Sequence, residues 1–151
     1  MYHCKYFELW ELIPPQTFNM YKGDRAWQFL DERALRMLDK LREKFGPVII
    51  NDYGFSPAYR EKIGRKGRPL DKFSGYRPMS CNVGGPDSQH RHGRAFDCDF
   101  LEVDTDTVRQ YVIDHPKEFK DIHGIELIVP WLHFDTRNEA MAQSIRFRGY
   151  P

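Results

Sequence analysis

The chain has 151 residues, of which 40% are hydrophobic, 30% charged and 15% aromatic. That length suits one domain, residues 1–151, built on a single core, and the composition is too apolar for a disordered chain. A formal charge of +1 provides no global field for nucleic acid or a membrane surface, and no run approaches the ~18 apolar residues of a membrane span.

Met1 to Pro15 carries Glu8 and Glu11 within its apolar stretch and lacks a basic n-region or a small-residue cleavage site. It does not read as a secretory signal, so synthesis in the cytosol is the expectation. Tyr6 to Ile13 reads as a short helix stopped by Pro14-Pro15, and residues 16–30 as irregular, with Trp27, Phe29 and Leu30 packing inward. From Asp31 to Phe45, Ala34, Leu35, Leu38, Leu41 and Phe45 follow a 3.6-residue period, acids fall in the first turn, and Gly46-Pro47 ends the helix. Val48 to Ile50 reads as a short buried strand, followed by a long loop from Asp52 to Phe73 rich in Gly, Pro and basic residues.

Ala95 to Leu101 alternates, with Phe96, Cys98 and Phe100 on one face and Asp97 and Asp99 on the other, which is strand periodicity. Asp104 or Thr105 caps a helix reaching Asp114, with Val108, Tyr111 and Val112 on its apolar side. Ile125–Val129 and Leu132–Thr136 read as two strands joined near Pro130-Trp131, and Ser144–Pro151 as a further edge strand. Early helices and a small antiparallel sheet with helices packed on one face make an α+β domain. Cys4, Cys81 and Cys98 are odd in number and form no CxxC pair, which argues against a disulfide framework and a thiolate metal site. They read as small buried hydrophobes; a Cys81–Cys98 bridge is not arguable from sequence.

The densest chemistry lies in Ser88-Gln89-His90-Arg91-His92-Gly93-Arg94-Ala95-Phe96-Asp97. Neutral imidazole with carboxylate suits zinc, and Gly93 allows a sharp turn between a loop ligand and a ligand on the next strand. A catalytic zinc takes three protein ligands and keeps a fourth position open, so a third donor is needed from elsewhere. His133, within Trp131-Leu132-His133-Phe134-Asp135, supplies it. Alone it would read as a hydrogen-bonded core histidine; beside the earlier stretch it reads as a ligand.

These residues carry a resemblance. Ser88 to Asp97 matches the S-x-H-x-x-G-x-A-x-D pattern of the D-alanyl-D-alanine carboxypeptidases and L-alanyl-D-glutamate endopeptidases, zinc peptidases that share a fold with the hedgehog signalling domain. Ser74-Gly75-Tyr76-Arg77-Pro78 resembles the family's S-G-Y-R element, Asn82-Val83-Gly84-Gly85 the segment before the motif, and Trp131 to Arg137 the last-ligand strand. Phe7 to Pro14 is similar to the N-terminal helix of phage-type members, while 16–30 and 52–72 carry the least likeness. The resemblance implies a hedgehog/DD-peptidase-like fold with Zn2+ on His90, Asp97 and His133. It implies that Arg77 binds and polarises a substrate carbonyl or carboxylate, and that Ser88 orients the site or meets the peptide. His92 has no counterpart as a ligand and reads as a loop residue or a partner of a ligand, and Asp99 as such a partner or solvated.

The general base departs from the better-known members, several of which carry an acid three residues before the last histidine, where this chain has Pro130. Hedgehog-like members place a glutamate on the preceding strand, and Glu126 is the nearest acid there. If Val129 pairs with Leu132, Ile128 faces His133 and Glu126 faces Asp135, one diagonal step of roughly 7–8 Å from His133. Three readings follow: Glu126 is the base, His123 is, or none exists and the domain is inactive. The segment Arg60 to Arg68 reads as a solvated basic loop, or else as a clamp on an anionic polymer such as teichoic acid or a rim of the substrate groove. A nucleic-acid binder using that loop is the weakest reading, given the near-neutral charge.

The function expected is hydrolysis of peptidoglycan stem peptides at D-Ala-D-Ala or L-Ala-D-Glu, as carboxypeptidase or endopeptidase. A phage endolysin, acting on the cell wall after release, or a virion-borne peptidase would need no secretion signal. The rival expectation is a virion or tail module that keeps the fold without cutting.

Overall fold

The computed structural model describes residues 1–21, 23–138 and, by backbone alone, 146–148. Among them the elements run α1 (Leu9–Leu12), α2 (Pro15–Met20), a 3-10 helix (Gly23–Phe29), α3 (Glu32–Phe45), β1 (Val48–Ile49), α4 (Pro57–Lys62), a second 3-10 turn (Gln89–His92), β2 (Ala95–Phe100), α5 (Thr105–Asp114), β3 (Gly124–Glu126), β4 (Leu132–Asp135) and β5 (Arg146–Arg148). The fold is α+β, with a small antiparallel sheet and several helices.

The prolines after α1 do more than stop it. Pro15 occupies the first position of α2, where its missing N–H has no intrahelical acceptor to lose and its fixed φ suits a helix. Residues expected to be irregular are therefore largely helical, and Trp27 and Leu30 are buried as expected. The main helix, α3, is capped by Asp31, whose carboxylate accepts from Arg33 N at 2.9 Å, and it ends at Gly46, whose φ is +83°. Its buried stripe of Ala34, Leu35, Leu38 and Leu41 also carries Asp39, which accepts from the Tyr2 hydroxyl and the Lys5 amide, both at 2.7 Å. The N-terminal segment is thus tied to α3 by a buried carboxylate rather than by a helix of its own.

Strand order is β1-β2-β4-β3-β5, with antiparallel pairing throughout except for β5, which runs parallel to β3 at the edge. The alternation along β2 and β4 divides the sheet into two faces. Phe96, Cys98, Leu132, Phe134 and Ile125 are at most 1% exposed and share one apolar cluster with Leu35, Leu38 and Leu41 of α3 and Val108 and Val112 of α5. The opposite face carries Asp97, Asp99, His133, Asp135 and Glu126, positions that alternate with that core set. All three cysteines are free thiols.

The segment 52–73 is less loop-like than expected, and within Arg60–Arg68, where Lys62, Lys66 and Arg68 are exposed, Arg65 is not solvated. The segment contains α4, capped by Ser56, and it is closed by Arg65, which is only 2% exposed. The Arg65 guanidinium donates to the wholly buried Asp52 at 3.0 Å, to Asp71 and to Asp99, while Arg60 Nε reaches the same Asp52 carboxylate at 3.1 Å. Two of the five cations in this stretch, Arg60 and Arg65, therefore neutralise the interior Asp52, and the partly exposed Asp99 pairs with Arg65 and Arg68. Removing one member of a buried ion-pair set leaves its partners uncompensated. Arg65→Met should lower the unfolding free energy by roughly 3 kcal/mol in urea denaturation, whereas Arg68→Ala, at an exposed side chain, should change it by less than about 0.5 kcal/mol.

Candidate metal centre

Three local devices bring the site together. After the 3-10 turn Gln89–His92, Gly93 adopts φ +64°, and a Cβ there would lie 1.9 Å from the Phe29 carbonyl oxygen. Glycine is needed twice over, for its backbone angle and for the close approach. The Ser74–Arg77 segment then lies along the turn: Arg77 N donates to His90 O at 3.0 Å, and Asp97 N to Ser74 O at 2.7 Å. Gly75 passes so near the end of α1 that a Cβ would sit 2.1 Å from Leu12 O, and Tyr76 N donates to that carbonyl at 2.9 Å. Short α1 is therefore a buttress for the segment that carries Arg77.

The third device is strand register. Asp97 of β2 stands opposite His133 of β4, so the two side chains project from the same face. Asp97 Oδ1 lies 2.7 Å from His133 Nδ1 and 3.4 Å from His90 Nε2, and its other oxygen accepts from Arg77 at 2.9 Å. His90 Nδ1 lies 2.8 Å from the Gly75 carbonyl oxygen, an acceptor only, which fixes the proton on Nδ1 and turns the Nε2 lone pair towards Asp97. One donor atom from each of His90, Asp97 and His133 lies within 4.8 Å of the others, and the set could hold a metal ion. Two imidazoles and a carboxylate, nearly buried, with a cavity in front, are the donor chemistry of an open divalent site.

The electrostatics of the metal-free cluster are those of a buried chain of alternating charge. Burial lowers the His90 pKa. Burial also opposes ionisation of Asp97, but the adjacent His90 and His133 prevail and hold its carboxyl well below the usual carboxylate range. His133 is driven the other way: burial disfavours its charge, yet Asp135, Asp97 and Glu126 raise its pKa to about 9. Asp135 lies 3.8 Å from His133 Nε2, an ion-pair rather than a hydrogen-bond distance, and its carboxylate is gripped by Arg137. A Cβ on Gly124, across the ladder, would lie 2.4 Å from Asp135, so glycine there leaves room for that carboxylate.

Of the residues singled out by sequence, His90, Asp97, His133, Arg77, Ser88 and Glu126 all border one cavity of about 480 Å³. Arg77 is not a surface cation: it is held by Asp97 and by the Phe73 carbonyl at 2.6 Å. His92 is exposed, and His123 turns its Nδ1 to the Arg137 carbonyl at 2.7 Å without lining the cavity. The expected hairpin register is wrong by two residues. Gly124 pairs with Asp135 and Ile125 with Phe134, which continues to Glu126 opposite His133 rather than Asp135. The cause is Pro130, which has no N–H for a tight turn; residues 127–131 form a wider connection, and β3 ends at Glu126. Asp135 was missed, although its sequence signal was available: two residues after His133 on a strand, it must share that histidine's face. A second lobe of about 350 Å³ shares Arg77, Val83, Asp97 and Trp131 with the first and continues along β2 towards Asp99 and Ile50.

In comparison with known proteins, no family model matches the chain, and neither does any curated protein or solved structure.

Because the His133 pKa is raised when folded, its contribution to metal-free stability is complete below about pH 6.5, and it is lost as pH rises through about 9. A cation entering the cluster must displace that proton. Affinity for Zn2+ should therefore rise with pH up to about 9, and binding at pH 7 should release about one proton, seen by calorimetry in buffers of different ionisation enthalpy. Asp97→Asn should abolish the binding. Binding without proton release would show that His133 is already neutral.

Proposed function

We propose that the chain is a zinc peptidase of the D-alanyl-D-alanine carboxypeptidase and L-alanyl-D-glutamate endopeptidase type, with the hedgehog/DD-peptidase fold, acting on peptidoglycan stem peptides. The observation that carries this reading is the convergence of His90, Asp97 and His133 beside a carboxylate, Glu126, on the wall of the same cavity. A zinc ion held by the three donors supplies Lewis acidity towards the scissile carbonyl and lowers the pKa of water towards about 7.

The chain's own residues divide the remaining work. Glu126, projecting beside His133, accepts the proton of the attacking water on a carboxylate oxygen and delivers it to the leaving amine. Arg77 keeps Asp97 in place through one terminal nitrogen, while its Nη1 borders Gly84, where a Cβ would come within 3.1 Å. That nitrogen is the donor for a substrate carbonyl or carboxylate, and the bare glycine keeps it accessible. Ser88 reaches the same glycine, its Oγ 3.4 Å from the position a Cβ would take, and offers the peptide a hydroxyl beside Arg77.

The cavity continues beyond the three donors in both directions, towards Asp99 along β2 and towards Glu126 across the sheet. The motif resemblance supplies the cell wall as target and a phage endolysin or virion-borne peptidase as the setting. Pro130, standing where related enzymes carry an acid, favours the second reading, a virion or tail module that binds metal without cutting.

Turbidity of purified peptidoglycan decides between them. Clearing that requires zinc, stops with a chelator, and falls on the order of 10²–10⁴-fold in Glu126→Gln with zinc still bound is the expected result. Stoichiometric zinc without clearing would establish the non-cutting module.

A further inference from the structure

Arg109 belongs to none of the sequence motifs, yet it is 4% exposed and reaches the segment between β3 and β4 from α5. Its Nε donates to the Glu126 carbonyl at 3.0 Å, and one terminal nitrogen donates to the carbonyls of Val129 at 2.8 Å and Trp131 at 2.7 Å. Its other terminal nitrogen pairs with Asp106, one turn earlier on the same helix. A single guanidinium thus gathers three backbone carbonyls from a stretch of six residues.

The need for it follows from the ladder. On the β4 side, paired positions end at Ile125 and Phe134, and β3 itself ends at Glu126, so residues 127–131 leave the sheet before the chain returns. Pro130 cannot donate to a turn, so the carbonyls of Glu126, Val129 and Trp131 take their donor from another element. Arg109 satisfies them, and the planar fork of its donors does so at fixed relative positions, which an ammonium on a flexible stem does not reproduce. The residues at the two ends of that stretch, Glu126 and Trp131, both border the cavity in front of the metal ligands.

We infer that Arg109 is a positioning residue for this site: through the backbone of residues 126–131 it holds Glu126 beside His133, where its carboxylate can take the proton of the attacking water. The inference rests on the peptidase reading with Glu126 as the base. His90, Asp97 and His133 are set by the Gln89–His92 turn and by the β2–β4 register, so the metal site does not depend on this clamp.

The test uses Arg109→Lys and Arg109→Met, with wild type, in the zinc-loaded protein on a soluble stem pentapeptide containing both L-Ala-D-Glu and D-Ala-D-Ala. Zinc affinity should be unchanged. In Arg109→Met kcat should fall on the order of 10²-fold with KM within about twofold, and Arg109→Lys should recover only part of it. Amide exchange should rise in residues 126–131 and stay at wild-type levels in 95–98 and 132–135. Wild-type kcat in both variants would overturn the inference, and so would a loss of zinc affinity together with faster exchange across the whole sheet, the mark of a merely structural arginine. A wild type that binds zinc but cleaves nothing would sink the peptidase reading itself, and with it any role of Arg109 in catalysis.

Discussion

The pairing of Asp97 with His133 across β2 and β4 is the constraint on which the site depends. Side chains alternate along a strand, so a slip of one residue would turn Asp97 or His133 into the core and bring Phe96, Cys98, Leu132 or Phe134 to the polar face. The apolar set is wholly buried beneath α3 and α5, and the energy that holds the core in register therefore also holds the ligands in register. His90 joins by a different route. Its position comes from a turn made possible by Gly93, with the ring fixed by the Gly75 carbonyl. Two strands and one turn, each set by packing rather than by the metal, leave three donors facing one another.

Such a cluster is expensive without an ion. Buried charges are tolerated when paired, and the pairing here forms a line from Arg77 through Asp97, His133 and Asp135 to Arg137, alternating in sign if His133 is protonated. The raised His133 pKa expresses that arrangement: the proton occupies the place in the charge sequence that a cation would take. Asp135 would then act on the metal indirectly, by orienting the His133 ring and raising its basicity, as carboxylates behind ligating histidines do.

Much of this was legible in the residues. The alternation Phe96-Asp97-Cys98-Asp99 announces a strand with one acidic face, and the caps Asp31 and Asp104 mark the starts of the two helices that cover the other face. His90 and Asp97 stand close together in the chain, whereas His133 is reached by the need for a third donor and by the resemblance of its strand to the family's last-ligand segment. Long-range partners were less accessible. Nothing local distinguishes Arg65, interior and shared among Asp52, Asp71 and Asp99, from Arg68, whose side chain is largely in solvent. A count of basic residues reads both as surface charge.

The two-residue error in the β3–β4 register has the same origin and more consequence. Sequence offers a hairpin signal only through turn residues, and Pro130-Trp131 is poor turn chemistry, so the tightest connection was the wrong one to assume. The observed connection is wider, and its carbonyls are satisfied from a separate element, by Arg109 of α5. Width moves Glu126 from a diagonal position to one opposite His133, and the distant arginine makes that width tenable. Placement of the candidate base is thus a tertiary property, decided by a helix side chain seventeen residues before it rather than by the strand that carries it. Pro130, unable to donate within a tight turn, lies in the wider connection that leaves Glu126 opposite His133.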